Sequence, residues 1–235
     1  MADIDVKGTI VDDEDAWIYD YFGIENTSPQ KVKKILDEAH GEDITVLVNS
    51  GGGDVFAGNE IYYLIANYRG NTVVDIAGFA ASAATIICCA GNRVRANPGM
   101  QYMIHNVSCG AYGDYNEMDK TSEILQNANR SISNIYRLKT GLSESELLKL
   151  MNEETWMDAT RARDLGFVDE IIGDNGTLAR KPIALTNSFA KILDEEVKEK
   201  IRNTVKKPLQ GEKTDADFLI QKNRLTLLKL KGEQR

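Results

Sequence analysis

The chain has 235 residues, 42% of them hydrophobic and 27% charged, with a formal net charge of -8. That balance describes one sizeable globular domain with an appendage, and an acidic body disfavours nonspecific nucleic-acid binding. No apolar run is long enough to span a membrane, and the acidic start Met1-Ala2-Asp3-Ile4-Asp5 lacks the basic-then-apolar plan of a signal peptide, so the expected location is cytoplasmic, with no membrane or nucleic-acid partner.

Taken in order, Asp15 to Gly23 reads as a short strand rich in aromatic residues. Ser28 and Pro29 open a helix as N-cap and first helical residue; Val32, Ile35, Leu36 and Ala39 form its apolar face, and Gly41 ends it. Ile44 to Val48 is a near-continuous β-branched run, the pattern of a buried parallel strand. It ends in Asn49-Ser50-Gly51-Gly52-Gly53-Asp54, where three glycines imply unusual backbone angles or close approach of another chain. A helix follows over roughly 55–68, with Phe56, Ile61, Leu64, Ile65 and Tyr68 as its expected buried set. The glycine turn lacks both the Lys-Ser/Thr ending of a P-loop and the G-x-G-x-x-G spacing, which argues against nucleotide binding.

Thr72 to Ala77 predicts the next strand, then a glycine turn, then an apolar helix with Ser82 in its first turn, in the run Gly78-Phe79-Ala80-Ala81-Ser82-Ala83-Ala84. An N-cap serine would explain that position without chemistry. Cys88 and Cys89 continue the apolar run; with Cys109 they have neither disulfide nor metal spacing and read as buried free thiols. His40 and His105 are the only histidines, so no metal and no cofactor are expected. Arg93 to Arg95 and Tyr102 to Ile104 read as short strands, the second delivering His105 to the head of a loop over 106–113. The longest helix is predicted over 114–140, with Met118, Thr121, Leu125, Ala128, Ile132 and Ile135 as a seam for the body or for another subunit. Ser143 and Glu146 form a capping box, a helix runs to Leu165, and a strand over 167–172 closes an α/β domain with a mainly parallel sheet.

Beyond Gly173 the character changes. Residues 190–235 carry 12 Lys and Arg against 8 Asp and Glu. Helices are expected over 188–202 and 216–230, joined by a linker over 204–215. This stretch has too few apolar residues for its own core. The expected domains are therefore 1–175, the α/β body, and 176–235, a mostly helical C-terminal extension.

A serine at a helix start, a histidine at a strand end and acidic residues further on are the parts of a nucleophilic site. A serine hydroxyl needs a base within hydrogen-bond reach, an orienting acid behind the base and backbone donors for the developing oxyanion. The Gly51-Gly52-Gly53 turn can supply one amide and Ala83 the other.

Asn49-Ser50-Gly51-Gly52-Gly53, Gly78 to Ala84, Met103-Ile104-His105-Asn106, and Ala159 with Gly166-Phe167-Val168-Asp169-Glu170 stand in the order and at spacings similar to the motifs of the Clp protease proteolytic subunit family. The resemblance covers residues 5–173. It implies the crotonase-like ClpP fold of stacked ββα units and a serine endopeptidase with Ser82 as nucleophile and His105 as base. It also implies an oxyanion hole from Gly53 and Ala83, substrate contacts at Gly51 and Gly52, and homo-oligomeric rings, such as stacked heptamers, joined by the 114–140 helix as a handle. A neutral histidine base implies activity falling below about pH 6–7.

The departures from the pattern are informative. Alignment on Met157 and Ala159 puts Glu154 where the family has its triad aspartate, with Glu153 and Asp158 as alternatives. Gly51 stands where the family usually has proline. Asp12-Asp13-Glu14-Asp15 lies near where the pore-loop segment is expected, which argues against docking to an ATP-driven unfoldase. Asn152 to Trp156 (NEETW), Asp20 to Gly23 and the tail are similar to Clp-like proteases of tailed bacteriophages and prophages, which implies capsid or scaffold proteins as substrates, in the cytoplasm of a bacterium or of an infected host. The alternatives are the proteolytic subunit of an ATP-dependent Clp protease, a crotonase-fold acyl-CoA enzyme, and an inactive structural phage protein.

Overall fold

Ile4 and Val6, both fully buried, alternate with polar neighbours, and that period of two makes Ala2–Lys7 a strand, β1. The computed structural model describes residues 2–173 and the single position 199; the expected helices, linker and domain boundary of the C-terminal stretch lie outside the described residues. In chain order the elements after β1 are β2 (Thr9–Ile10), α1 (Ala16–Tyr21), β3 (Asn26–Thr27), α2 (Pro29–Glu38), β4 (Ile44–Ser50), α3 (Val55–Ala66), β5 (Thr72–Ala81), α4 (Ala83–Cys88), β6 (Arg93–Ala96), β7 (Gln101–Ile104), α5 (Tyr115–Thr140), α6 (Glu144–Asn152), β8 (Thr155–Asp158), α7 (Ala159–Asp164) and β9 (Glu170–Ile171).

The main sheet runs β1-β4-β5-β6-β9, with parallel pairings throughout. Parallel strands need crossovers, and α2, α3 and α4 stand between successive strands of this path. The α/β reading with a mainly parallel sheet therefore holds. The Asp75 and Arg95 side chains, paired in register on β5 and β6, form a two-pronged ion pair with both contacts at 2.6 Å.

β5 is the strand that makes the site. Its first half pairs with β6, from Val73↔Arg93 to Ile76↔Ala96. Its second half leaves β6 and pairs with β7, from Phe79↔Gln101 to Ala81↔Met103. Between the halves the β4 register jumps from Val48↔Ile76 to Ser50↔Ala80, so β5 carries two extra residues there. Gly78 sits in this bulge because a Cβ at that position would lie 2.4 Å from the Asn49 carboxamide oxygen, which accepts from the Phe79 N–H at 3.3 Å. The glycine turn expected at Gly78 is thus absent. β5 runs through it to Ala81, and Ser82 itself makes the turn into α4.

Three more expectations are corrected. Residues 15–23 are a helix, not a strand: Asp12 accepts from the Asp15 and Ala16 amides, and Ile18, Tyr19 and Phe22 are buried together at a helical spacing that overrides the β propensity of their aromatic rings. Phe56 is 79% exposed. α3 buries Ala57, Gly58, Ile61 and Ile65 and packs on α4, most closely at Gly58, where a Cβ would stand 3.1 Å from that of Ala83. β8, antiparallel to β7, arises from a stretch that the sequence left unassigned, and the final strand shrinks to Glu170 and Ile171.

One capping box was expected and two are present. Ser143 and Glu146 cap α6 as expected, and Asp114 and Glu117 cap α5 in the same reciprocal way. α5 has two regimes. Ile132, Ser133 and Tyr136 in its second half are buried, whereas Tyr115, Met118 and Ile124 in its first half are exposed. Its C-terminal end is tied down by Lys139, whose ammonium lies 2.7 Å from the Asp169 carboxylate; the same carboxylate accepts the Val94 amide.

Cys88 is buried, Cys89 partly buried and Cys109 exposed, so Cys109 departs from the expected buried thiols. Burial pushes the Cys88 thiol well above its usual range and raises that of Cys89 to about 12. Both thiols therefore stay protonated through mildly basic pH, and the thiolate is the species that alkylates. Iodoacetamide at pH 8 is expected to modify the native protein once, at Cys109, and the unfolded protein three times, as read by intact mass.

Candidate active site

Ser82 stands at the junction of β5 and α4 with φ 56° and ψ -128°. This is the backbone of the first central position of a type II′ turn, a glycine position. A serine held there carries about 1–3 kcal/mol of strain, which the surrounding structure must over-determine. It does so from two sides. The Ser82 amide donates to the Met103 carbonyl at 2.9 Å, extending the β5–β7 pairing by one residue. The Ser82 carbonyl accepts from the Thr85 amide at 2.9 Å and from the Thr85 hydroxyl at 2.6 Å.

The β5–β7 pairing is also what delivers the histidine. Ala81 lies opposite Met103, so β7 ends at Ile104 level with the serine turn, and the His105 side chain comes back to it. Nε2 of His105 is 2.8 Å from Oγ of Ser82. The loop after His105 is held by α5, where the Asn129 carboxamide accepts the Val107 amide at 2.8 Å. Nucleophile and base candidates, 23 residues apart in sequence, are within hydrogen-bond reach.

The third member is less direct. The β7–β8 ladder pairs Ile104 with Thr155, and one further step in the same register sets Glu154 opposite His105. Glu154 has φ 47°, and its exposed carboxylate accepts the Trp156 indole N–H at 3.4 Å. Among the described residues no carboxylate is hydrogen-bonded to His105. Glu153 lies 4.0 Å from Lys149, one turn back. Asp158 caps α7 by accepting the Arg161 amide at 2.8 Å.

On the other side of Ser82 lies the glycine turn. Gly52 has φ 90° and Gly53 φ 151°. A Cβ on Gly52 would stand 2.6 Å from the Ala81 carbonyl oxygen and 2.8 Å from the Ala83 nitrogen, so the turn presses on the serine elbow. Gly53 forms a bridge with Ile10 that uses the Gly52 carbonyl and the Asp54 amide and leaves the Gly53 N–H out of the pairing. The Gly52 amide is taken by the Ser50 hydroxyl at 3.1 Å. The Ala83 amide opens α4, where first-turn N–H groups have no intrahelical acceptor. A narrow cleft of about 10 Å³ opens at Ser82 and His105, and its other walls are largely apolar: Val55, Ile86, Val107 and Ile132.

Residues 25–175 match the model of the Clp protease family. The chain belongs to the Clp protease family. Among curated relatives it is 29% identical over 134 residues to an ATP-dependent Clp protease proteolytic subunit of Bacteroides fragilis, spanning 56% of this chain and 65% of that one. It is 30% identical over 136 residues to the ATP-dependent Clp protease proteolytic subunit 1 of Chlamydia abortus, covering 56% and 71%. The chain thus spans just under two thirds of the length of the Bacteroides relative. A ClpP1 mutant from Listeria monocytogenes superposes with a TM-score of 0.60 at 22% identity, over 73% of this chain and 91% of that one. The crotonase-like ClpP fold expected from the motifs is therefore the fold observed. No helix among the described residues is long and apolar enough to cross a membrane.

Two residues that sequence reading passed over belong to the site's support. Thr85, fully buried, is the one hydroxyl in an otherwise apolar α4. Tyr136, from α5, is buried against it with the two hydroxyls 2.6 Å apart. The polar residue at the third position after Ser82 was the available signal for the first. Tyr136 gave none, because an aromatic residue beside an apolar seam reads as core.

Proposed function

We propose that this Clp-family chain is a serine endopeptidase in which Ser82 attacks the peptide carbonyl and His105 is the general base. The observation that carries the reading is the 2.8 Å contact between His105 Nε2 and Ser82 Oγ on a strained serine turn. Oγ forms a bond to the carbonyl carbon as its proton passes to Nε2, and the carbonyl π pair moves onto oxygen. The Gly53 and Ala83 amides receive that oxyanion, and one such donor is typically worth about a hundred- to a thousandfold in rate. Collapse expels the amine, which takes the proton from Nε2. Water, deprotonated by the same nitrogen, then releases the acyl group and restores Ser82. The substrate backbone approaches along Gly51 and Gly52.

In this reading Glu154 is the acid that orients His105, reaching Nδ1 by a side-chain rotation away from Trp156. Its position opposite His105 in the β7–β8 register supports it over Glu153 and Asp158. Glu154→Gln is expected to lower kcat by about 10²- to 10⁴-fold. Asp158→Ala is expected to cost about 1 kcal/mol of stability as a lost N-cap and to leave kcat nearly unchanged. Peptide hydrolysis and thermal melting of both variants check the assignment, and a kcat loss confined to Asp158→Ala would transfer the role.

A fluorophosphonate tests the serine directly: wild type should be labelled covalently and Ser82→Ala should not. Failure of the assembled wild type to label would overturn the reading and leave an inactive shell protein or an acyl-CoA enzyme on the same fold. The phage head-maturation role, with capsid or scaffold substrates in the cytoplasm and homo-oligomeric rings joined through α5, is supported by the NEETW stretch and by the exposed first half of α5. The second reading, a subunit served by an ATP-driven unfoldase, is favoured by the relatives named as proteolytic subunits of ATP-dependent Clp proteases. Cleavage of a folded substrate only with an unfoldase and ATP would favour that second reading; ATP-independent cleavage of capsid or scaffold protein would favour the first.

A further inference from the structure

Ser82 Oγ and its histidine account for the nucleophile, but the strained peptide that follows it needs a holder. The Ser82 carbonyl has only acceptor capacity, and the Thr85 hydroxyl, 2.6 Å away, has one proton to give. That proton is committed to the carbonyl. The Tyr136 hydroxyl, 2.6 Å from Thr85 Oγ1, must therefore be the donor of that contact. The result is a directed chain, Tyr136 O–H to Thr85 Oγ1 and Thr85 O–H to the Ser82 carbonyl, reaching from α5 into the nucleophile's own backbone. Tyr102 closes it from β7, donating to the Thr85 carbonyl at 3.2 Å. Thr85 is fully buried and Tyr136 is 2% exposed, so water does not compete. Burial holds both phenols above their usual range, with Tyr102 well above it, and keeps them protonated as donors.

In a planar trans peptide the carbonyl and the following N–H point in opposite directions. A clamp on the Ser82 carbonyl therefore sets the direction of the Ala83 N–H. We propose that Thr85 and Tyr136 are positioning residues that aim the Ala83 amide at the oxyanion, through the Ser82–Ala83 peptide plane. This rests on the serine-peptidase reading, because the aimed amide matters only if an oxyanion forms at Ser82. Neither residue touches the reacting atoms through its hydroxyl; each acts through the Ser82 backbone. The chain also makes the buried half of α5 a physical part of the site's geometry.

The test uses the full chain with Thr85→Val, Tyr136→Phe and Thr85→Ser. A short chromogenic peptide reports kcat and KM, and a peptide boronate, whose tetrahedral adduct places an oxygen where the oxyanion forms, reports Ki. Thr85→Val is expected to lower kcat/KM about 10- to 100-fold with KM within about twofold, and to raise the boronate Ki in the same proportion. Tyr136→Phe should show the same pattern with a smaller loss, and Thr85→Ser should restore wild-type values. A structural role alone would lower the melting temperature without that proportionality between Ki and kcat/KM. If Thr85→Val fails to fold, Tyr136→Phe and Thr85→Ser carry the comparison. Wild-type values of kcat/KM and Ki in Tyr136→Phe and folded Thr85→Val, with the wild type labelled at Ser82 by the fluorophosphonate, would overturn the proposal alone. A wild type that does not label would overturn the serine-peptidase reading beneath it.

Discussion

Ser82→Ala and His105→Ala are each expected to lower kcat by about 10⁴- to 10⁶-fold, with the double variant no worse than either single one. Groups that act as a unit lose their function when any one is removed, so their effects do not add. The unit here is the 2.8 Å Ser82–His105 contact: without Oγ no acyl-enzyme forms, and without the imidazole the hydroxyl keeps its proton. The residual rate would come from the oxyanion amides, which neither substitution touches. A multiplicative loss in the double variant would mean that the two residues serve different steps. Stability separates the roles further. The backbone of Ser82, at φ 56° and ψ -128°, is a glycine conformation that Ala relieves no better than Ser. Ser82→Gly should therefore be more stable than Ser82→Ala by about 1 kcal/mol, the strain relieved less the extra chain entropy of glycine. Denaturant unfolding of the two inactive variants measures it. Equal stability would mean that the turn is not strained, and that Ser82 adopts its angles without help from its two backbone anchors.

What the sequence made legible was what periodicity and punctuation carry. The β-branched run at 44–48, the capping box at Ser143 and the long helix ending at Gly141 all appeared where local signals placed them. The Ser82–His105 pair was legible as a pair of motifs, and the structure brings the two side chains together. The misses share a cause. Whether residues 15–23 form a strand or a helix depends on Asp12 capping from outside the segment, and whether Phe56 is buried depends on which face of α3 meets α4. The split of β5 between β6 and β7 is invisible locally, because it is set by a two-residue bulge filled by the Asn49 side chain. For the same reason Glu154 could be placed near the histidine only by alignment. Its relation to His105 is a matter of β7–β8 register, and no hydrophobic pattern in NEETW specifies that register.

Gly53→Ala is expected to cost about 3 kcal/mol or more of folding stability, and Gly52→Ala to cost activity out of proportion to stability. At Gly53, with φ 151°, a Cβ would lie 2.0 Å from the Ile10 carbonyl oxygen and 2.8 Å from the Ile10 nitrogen. Those are backbone atoms of β2, fixed by the Val11–Thr27 and Thr9–Glu25 hydrogen bonds on its other side. The strand cannot retreat without breaking them, and the forbidden backbone angle adds its own penalty. At Gly52 the obstacle is the site itself: the added Cβ would meet the Ala81 oxygen at 2.6 Å and the Ala83 nitrogen and Ser82 Cβ at 2.8 Å each. The glycine loop is tethered to Ile10, so relief comes by pushing the serine turn away, which moves Oγ from His105 and the Ala83 amide from the oxyanion together. A displacement of about 1 Å costs roughly a hundredfold in rate. Denaturant melts paired with fluorophosphonate labelling rates distinguish the two variants. A Gly53→Ala protein as stable as wild type would mean that the Ile10 bridge does not hold the loop. A Gly52→Ala protein that labels at the wild-type rate would mean that the glycine loop, and not the serine turn, is the part that yields.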